Sequence, residues 1–265
     1  MSKSEKRWAL RWAVVIVALT CLPYLLAWFM APADTQYSGL LVNPLDGATY
    51  FAKMQHGAQG NWLFHLTFTP ENHQGVFVYI FYLLLGKVAA LTRIPIPIIY
   101  HLARCAAGMV LLLVAYRFIA RFAERAPTRR AAFLLLGFSA GFGWLLAPLG
   151  ITTADLWVAE GFTFLSLLVN PHFPLGMALM LLIFAPILDL RTEATAPLGR
   201  IVWAGSASLA LTLVHPIAVP IVLAVLGVYA LALTWKVRHI PWREVAGLAA
   251  VGVASAPIMV YTLFA

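Results

Sequence analysis

The fold class this sequence predicts is all-α, a polytopic membrane helical bundle, and three observations carry the prediction. The chain of 265 residues is 62% hydrophobic and only 11% charged, with a mean hydropathy of +0.87. Apolar runs of about 20 residues, the length a helix needs to cross hydrocarbon, recur along it. Period-2 alternation, the signature of a membrane β-barrel, is absent. Backbone polar groups in lipid must be satisfied within their own segment, so these runs are expected to be helices.

The first run, 8–30, follows a basic head and precedes an A-x-A-like "APA". It is longer than the roughly 7 to 15 apolar residues of a signal peptide, so it is expected to be retained as the first span. A polar stretch, 31–96, follows as the first external loop. Within it "NPLDGATYFAKM" (43–54) opens a helix expected over 44–58: Asn43 is a favoured N-cap and Pro44 suits the first helical position. Asp46 then falls in the first turn, with Tyr50 one turn later on the same face. The segment 76–92, "VFVYIFYLLLGKVAALT", is long enough to cross but carries Lys87 and leads into "RIPIP". Further spans are expected at 97–118, 131–149, 171–190, 201–214, 217–235 and 245–264, about seven in all, with 150–170 as the second external loop. The whole of 1–265 reads as one membrane domain, and because Ala265 lies inside an apolar run the domain is expected to be incomplete at its C-terminus.

Charge decides the status of 76–92. If it lies along the interface without crossing, 14 of the 18 Lys and Arg residues fall on one side, which the positive-inside rule makes cytoplasmic together with the N-terminus. It is therefore expected to be a second juxtamembrane helix with its aromatic and leucine face in the headgroup boundary. The net charge of +8 sits in short clusters between apolar runs and so marks topology; no nucleic acid partner is expected. Membrane lipids are the expected surroundings, in a cell (inner) membrane. Cys21 and Cys105, the two cysteines of the chain, read as lipid-buried thiols.

With this topology the outer side collects the candidates for chemistry. Asp46 could simply complement the helix dipole, but an acid directly after a membrane span, where external carboxylates are few, favours a functional role. In "GNWLFHLTFTPENHQG" (60–75), Trp62, Phe64 and Phe68 are expected interfacial anchors, while Glu71 and His73 can exchange protons. In 153–176, Asp155 and Glu160 are five residues apart, about 500° around a helix, so they do not form a carboxylate pair on one face. The stretch 161–169 is too short to span and is broken by Asn170-Pro171-His172, which fits a re-entrant or interfacial turn. His172 and His215 sit at outer span ends, as hydrogen-bonding groups or as ligands. No metal-spaced motif occurs, which leaves a metal site only to a cluster assembled in space.

The order of a first span, a long external loop with Asp46 on a juxtamembrane helix, a second interfacial helix, an Arg early in the next span ("YHLARCAAGMVLLLVAYRF"), a basic inner loop and an acidic second loop resembles the N-terminal membrane module of the GT-C glycosyltransferases. That class includes protein O-mannosyltransferases and aminoarabinose transferases. The chain departs from it where the class usually has a Pro-Pro pair and this sequence reads "TPENHQG", and in lacking a C-terminal half. The resemblance implies inverting sugar transfer from a polyprenyl-phosphate donor at the outer face, with Asp46 as general base. It further implies Lys87 and Arg104 for the departing phosphate, and a substrate site drawing on Tyr50, Glu71, His73, Asp155, Glu160 and His172. A C-terminal partner or missing half is also an expectation of this kind, while the sequence does not fix the cofactor, for which a divalent cation is one candidate. A non-catalytic transporter or assembly subunit is the alternative, though no repeat relates the two halves of the chain and the ionisable residues gather at one face.

Overall fold

The computed structural model describes residues 1–66, 69–191 and 197–264; Phe68 lies outside them. The described residues are all-α, with eleven α-helices and no strand. In order they are α1 (Lys3–Met30), α2 (Pro44–Ala58), α3 (Ile80–Thr92), α4 (Ile96–Ile119), α5 (Ala126–Gly137), α6 (Gly143–Leu146), α7 (Thr163–Val169), α8 (His172–Asp189), α9 (Pro197–Val214), α10 (Ala218–Val237) and α11 (Trp242–Phe264). Six of these, α1, α4, α8, α9, α10 and α11, are long and apolar enough to cross a membrane, so the chain is a multi-pass membrane protein. It divides into two compact units, one of Met1–Phe64 with Phe81–Leu175, the other of His65–Ile80 with everything from Gly176 onward.

In the first unit α1 and α4 run antiparallel. Tyr116 reaches Glu5 and packs on Trp8 at one end, Cys105 faces Cys21, and the His101 ring packs tilted against Tyr24 at the other. The expected span 131–149 is not one helix. At 12 residues α5 rises about 18 Å, short of the roughly 30 Å of hydrocarbon, and it ends at Gly137 before the Ser139-Ala140-Gly141 break. It climbs α1 from Glu5, held by Arg129, past Trp8 to Ile16, whose side chain fills the space beside Gly137. There α7 takes over: the Phe164 N–H donates to Ser139 O, and the α7 carbonyls of Leu167 and Leu168 accept from Arg104 and Tyr24. Two short helices therefore do the work of one, and 138–162 is an excursion inserted between them. Glycine and serine at the break weaken the helix only locally; the break is settled by α7, which docks there with Leu167 beside Gly108 and Val17.

In the second unit α8 to α11 alternate in direction. Gly176 lies beside His215, Ile187 and Leu190 beside Gly247, and Leu223 beside Gly252. The close pair is α9 and α11, where Gly205 sits against Ala250 and Ala254, and Ser208 donates to Val251 O at 3.0 Å. Small residues permit that approach, as expected where the medium supplies no hydrophobic drive between helices. Most basic residues of the first unit, and those of the second, gather at one end of their unit. In the first they are the start of α1, the end of α4 and the start of α5; in the second, Arg191, Arg200, Lys236, Arg238 and Arg243.

Candidate functional site

Between α1 and α4 the chain forms α2 and α3, which cross at backbone contact. A Cβ on Gly57 would meet the Leu83 carbonyl oxygen at 2.0 Å, and one on Gly86 the Met54 oxygen at 1.8 Å. Two glycines, one from each helix, set the separation. At 13 residues α3 rises about 20 Å, short of the roughly 30 Å of hydrocarbon, and it covers 80–92 of the helix expected over 76–92.

That crossing lays an aromatic wall against α4 and the α7–α8 corner. Tyr50 of α2 stacks on Tyr82 of α3 with ring centroids 4.5 Å apart, and Phe51 meets Tyr100 of α4 edge-on at 5.2 Å. The Tyr82 phenol and Nδ1 of His172 share a hydrogen bond of 2.6 Å, and the His172 ring lies 5.1 Å from Tyr50. Tyr100 donates to Val169 O at 3.2 Å and to the Asn170 side-chain oxygen. Burial holds the Tyr82 phenol well above its ordinary range, so it stays protonated.

One face of α2 carries the charges. Asp46, Tyr50 and Lys53 occupy successive turns, with Asp46 exposed and Lys53 buried at 7% exposure. The Lys53 ammonium stands 4.7 Å over the Tyr50 ring. Burial lowers its pKa to about 8, and the Asp46 carboxylate only partly restores it. Asn43 does precede the helix but does not cap it: its backbone is left-handed, at φ 46°, and the side-chain amide donates instead to the Asp46 carboxylate. The left-handed turn points the amide at the first-turn acid and away from the backbone N–H groups a cap would serve.

The structure thus joins Asp46, Tyr50 and His172 and adds Lys53 and Tyr82 to them. Other expected residues are engaged elsewhere in the first unit. Lys87 donates to Gly60 O at 2.7 Å and covers Trp62 at 4.3 Å, fastening the loop after α2. Arg104, 1% exposed, is internal: its guanidinium donates to Thr20 Oγ1, Leu167 O and His101 Nδ1 and lies 4.8 Å over Tyr24. Since His101 Nδ1 accepts there, Nε2 is left to donate to Gly39 O at 2.8 Å, which ties the 31–43 loop to α4. Asp155 accepts from the Gly143 N–H at 2.6 Å and from the Thr153 hydroxyl, bonds that lower its pKa and fold the 138–162 excursion. Glu160 is exposed on a single 3₁₀ turn, Ala159–Gly161.

Glu71 and His73 belong to the second unit. There His73 accepts from the Leu66 N–H at 2.8 Å and donates through Nδ1 to Glu71 O at 2.9 Å. Both residues line a cleft of about 500 Å³ together with Leu66, Val260, Tyr261 and Phe264. Among the described residues no three His, Cys, Asp or Glu side chains come together as a bound metal would require.

Lys53 was within reach of sequence reasoning, since it continues the Asp46–Tyr50 face by one more turn. Tyr82 was not, because only the glycine crossing of α2 and α3 brings it to Tyr50. Compared with protein-family models, curated proteins and solved structures, the chain matches none of them.

Proposed function

We propose that this protein is the membrane module of a GT-C-like glycosyltransferase. It moves a sugar from a polyprenyl-phosphate donor to an acceptor at the outer membrane face, with Asp46 as general base. The observation that carries the reading is an acid and a buried cation on one face of α2, beside a tyrosine wall, away from the first unit's basic cluster at the start of α1, the end of α4 and the start of α5. In the reaction the acceptor hydroxyl or amine loses its proton to Asp46 as it attacks the anomeric carbon, and the bond to the phosphate breaks with inversion. Lys53 is the cation for the departing phosphate in this scheme, replacing Lys87 and Arg104, which are spent on Gly60 and on the helix interior. Tyr50 and Tyr82 offer ring faces to the sugar. The proposal places the protein in the cell (inner) membrane with its basic ends and N-terminus in the cytoplasm, and it includes a C-terminal half or partner that supplies the acceptor site.

The test is Asp46→Asn. The amide keeps size and hydrogen-bond acceptance but has no useful basicity, so transfer from polyprenyl-phosphate sugars in membranes containing the complete complex should fall about 10²-fold or more at matched expression. Unchanged transfer would remove Asp46 from catalysis and with it this assignment.

A further inference from the structure

We infer that Cys21 and Cys105 are a disulfide site joining α1 to α4, an inference independent of the sugar-transfer reading. The two sulfurs face each other at 3.4 Å although 84 residues separate them in the chain. Their surroundings hold them there. One Arg104 N–H donates to Cys21 Sγ at 3.4 Å, and another donates to Thr20 on the neighbouring residue, whose hydroxyl is itself bonded to Val17 O. The guanidinium is anchored in turn by Leu167 O. Both helices are therefore fixed at this level, and the closure from contact to a bond of about 2.05 Å is a small side-chain movement. Neither thiol is fully enclosed, since both cysteines are half-buried.

Position supplies the second argument. The pair lies toward the Tyr24–His101 end of α1 and α4, away from the basic end where Arg129 meets Glu5. With the orientation proposed above, on which this second argument rests, positive residues mark the reducing cytoplasmic side and the thiols lie toward the oxidising one. The bond would close a covalent ring around the loop, α2 and α3, the segment that carries Asp46, Tyr50, Lys53 and Tyr82.

The chemistry is thiol–disulfide exchange with a small disulfide such as oxidised glutathione. The Cys21 thiolate attacks one sulfur of the oxidant and expels the other as a thiolate, giving a mixed disulfide. The Cys105 thiolate then attacks the Cys21 sulfur and expels the second glutathione thiolate. Two protein thiols lose two electrons, the oxidant disulfide gains them, and the two protons pass to the leaving thiolates.

The experiment uses the full chain purified in detergent, incubated with oxidised glutathione, then denatured and alkylated with a maleimide before intact mass analysis. The expected product is monomeric, lighter by two hydrogens, and takes no maleimide until it is reduced, when it takes two. Closure should also raise the thermal midpoint by roughly 5 °C or more, a shift absent in Cys21→Ser. Two free thiols after oxidation, persistent glutathione adducts, or disulfide-linked dimers would each overturn the inference.

Discussion

The two units differ in the polar groups they bury, although the first also sets Thr20 and Ser166 on backbone carbonyls and the second also buries Glu244. In the second unit the buried Ser208, Thr212 and Ser255 all donate to backbone carbonyls of packed helices, and the core around them is Ile183, Ile187, Leu211, Val222 and Val251. In the first unit Lys53, Arg104, Asn170 and His172 are buried and engage one another's neighbours through side chains, aromatic faces and loop carbonyls. Hydroxyls on helix carbonyls are inexpensive in lipid and serve packing. Buried cations are costly and persist with partners: Arg104 donates into the helix interior, and Lys53 stands over the Tyr50 ring. Under the proposed function the buried groups of the first unit that gather at α2, Lys53 and His172, belong to the site, while the hydroxyls of the second unit serve packing.

Arg104 is where the comparison breaks most easily. Arg104→Leu strips donors from Leu167 O and His101 Nδ1 inside the first unit, so it should cost about 3 kcal/mol of stability, read as a lowered thermal midpoint in detergent. A variant as stable as the parent would show that the cation is dispensable to the fold. Next comes Gly86→Ala, which drives a methyl into the Met54 carbonyl and forces α2 from α3; about 2 kcal/mol is expected, with a parallel loss at Gly57→Ala.

Lys53 sharpens the contrast through pH. Burial lowers its pKa from 10.5 to about 8, so between these values the unfolded chain holds a proton the folded protein has released. The stability penalty of this lysine is full below pH 8 and lifts as pH rises toward 10.5, so stability should increase across that window. Comparing thermal midpoints at the two ends of the window for wild type and Lys53→Met isolates the term: the rise should vanish in the variant, and a rise of equal size in both would refute the assignment. The smallest effect belongs to the second unit. Ser208→Ala removes one interhelical hydrogen bond and should cost only about 0.6 kcal/mol in the same thermal assay, as such bonds do in membranes.

Much of the helical plan was legible because hydrophobic length and glycine or proline punctuation act locally. Helix 44–58 is read from Pro44 and the apolar pattern and matches α2, and six of the seven expected spans return as long helices. The seventh is not legible as such, because 131–149 has the composition of a span, while its break at Ser139 is settled by α7 arriving to complete the climb along α1. The site divides in the same way. Asp46, Tyr50 and Lys53 share a face by helical period alone, and their charge and ring chemistry follow from residue type. The addition of Tyr82, the joining of the expected His172 to Tyr50, and the removal of Lys87 and Arg104 to structural duty depend on contacts between residues tens of positions apart. Sequence by itself determines which segments are helical and which end of each unit is basic, because hydrophobicity and charge belong to single residues and short windows. Which side chains meet is decided only in the tertiary structure, because the approach of α2 to α3 depends on two missing Cβ atoms, on different helices, lying opposite each other's backbone.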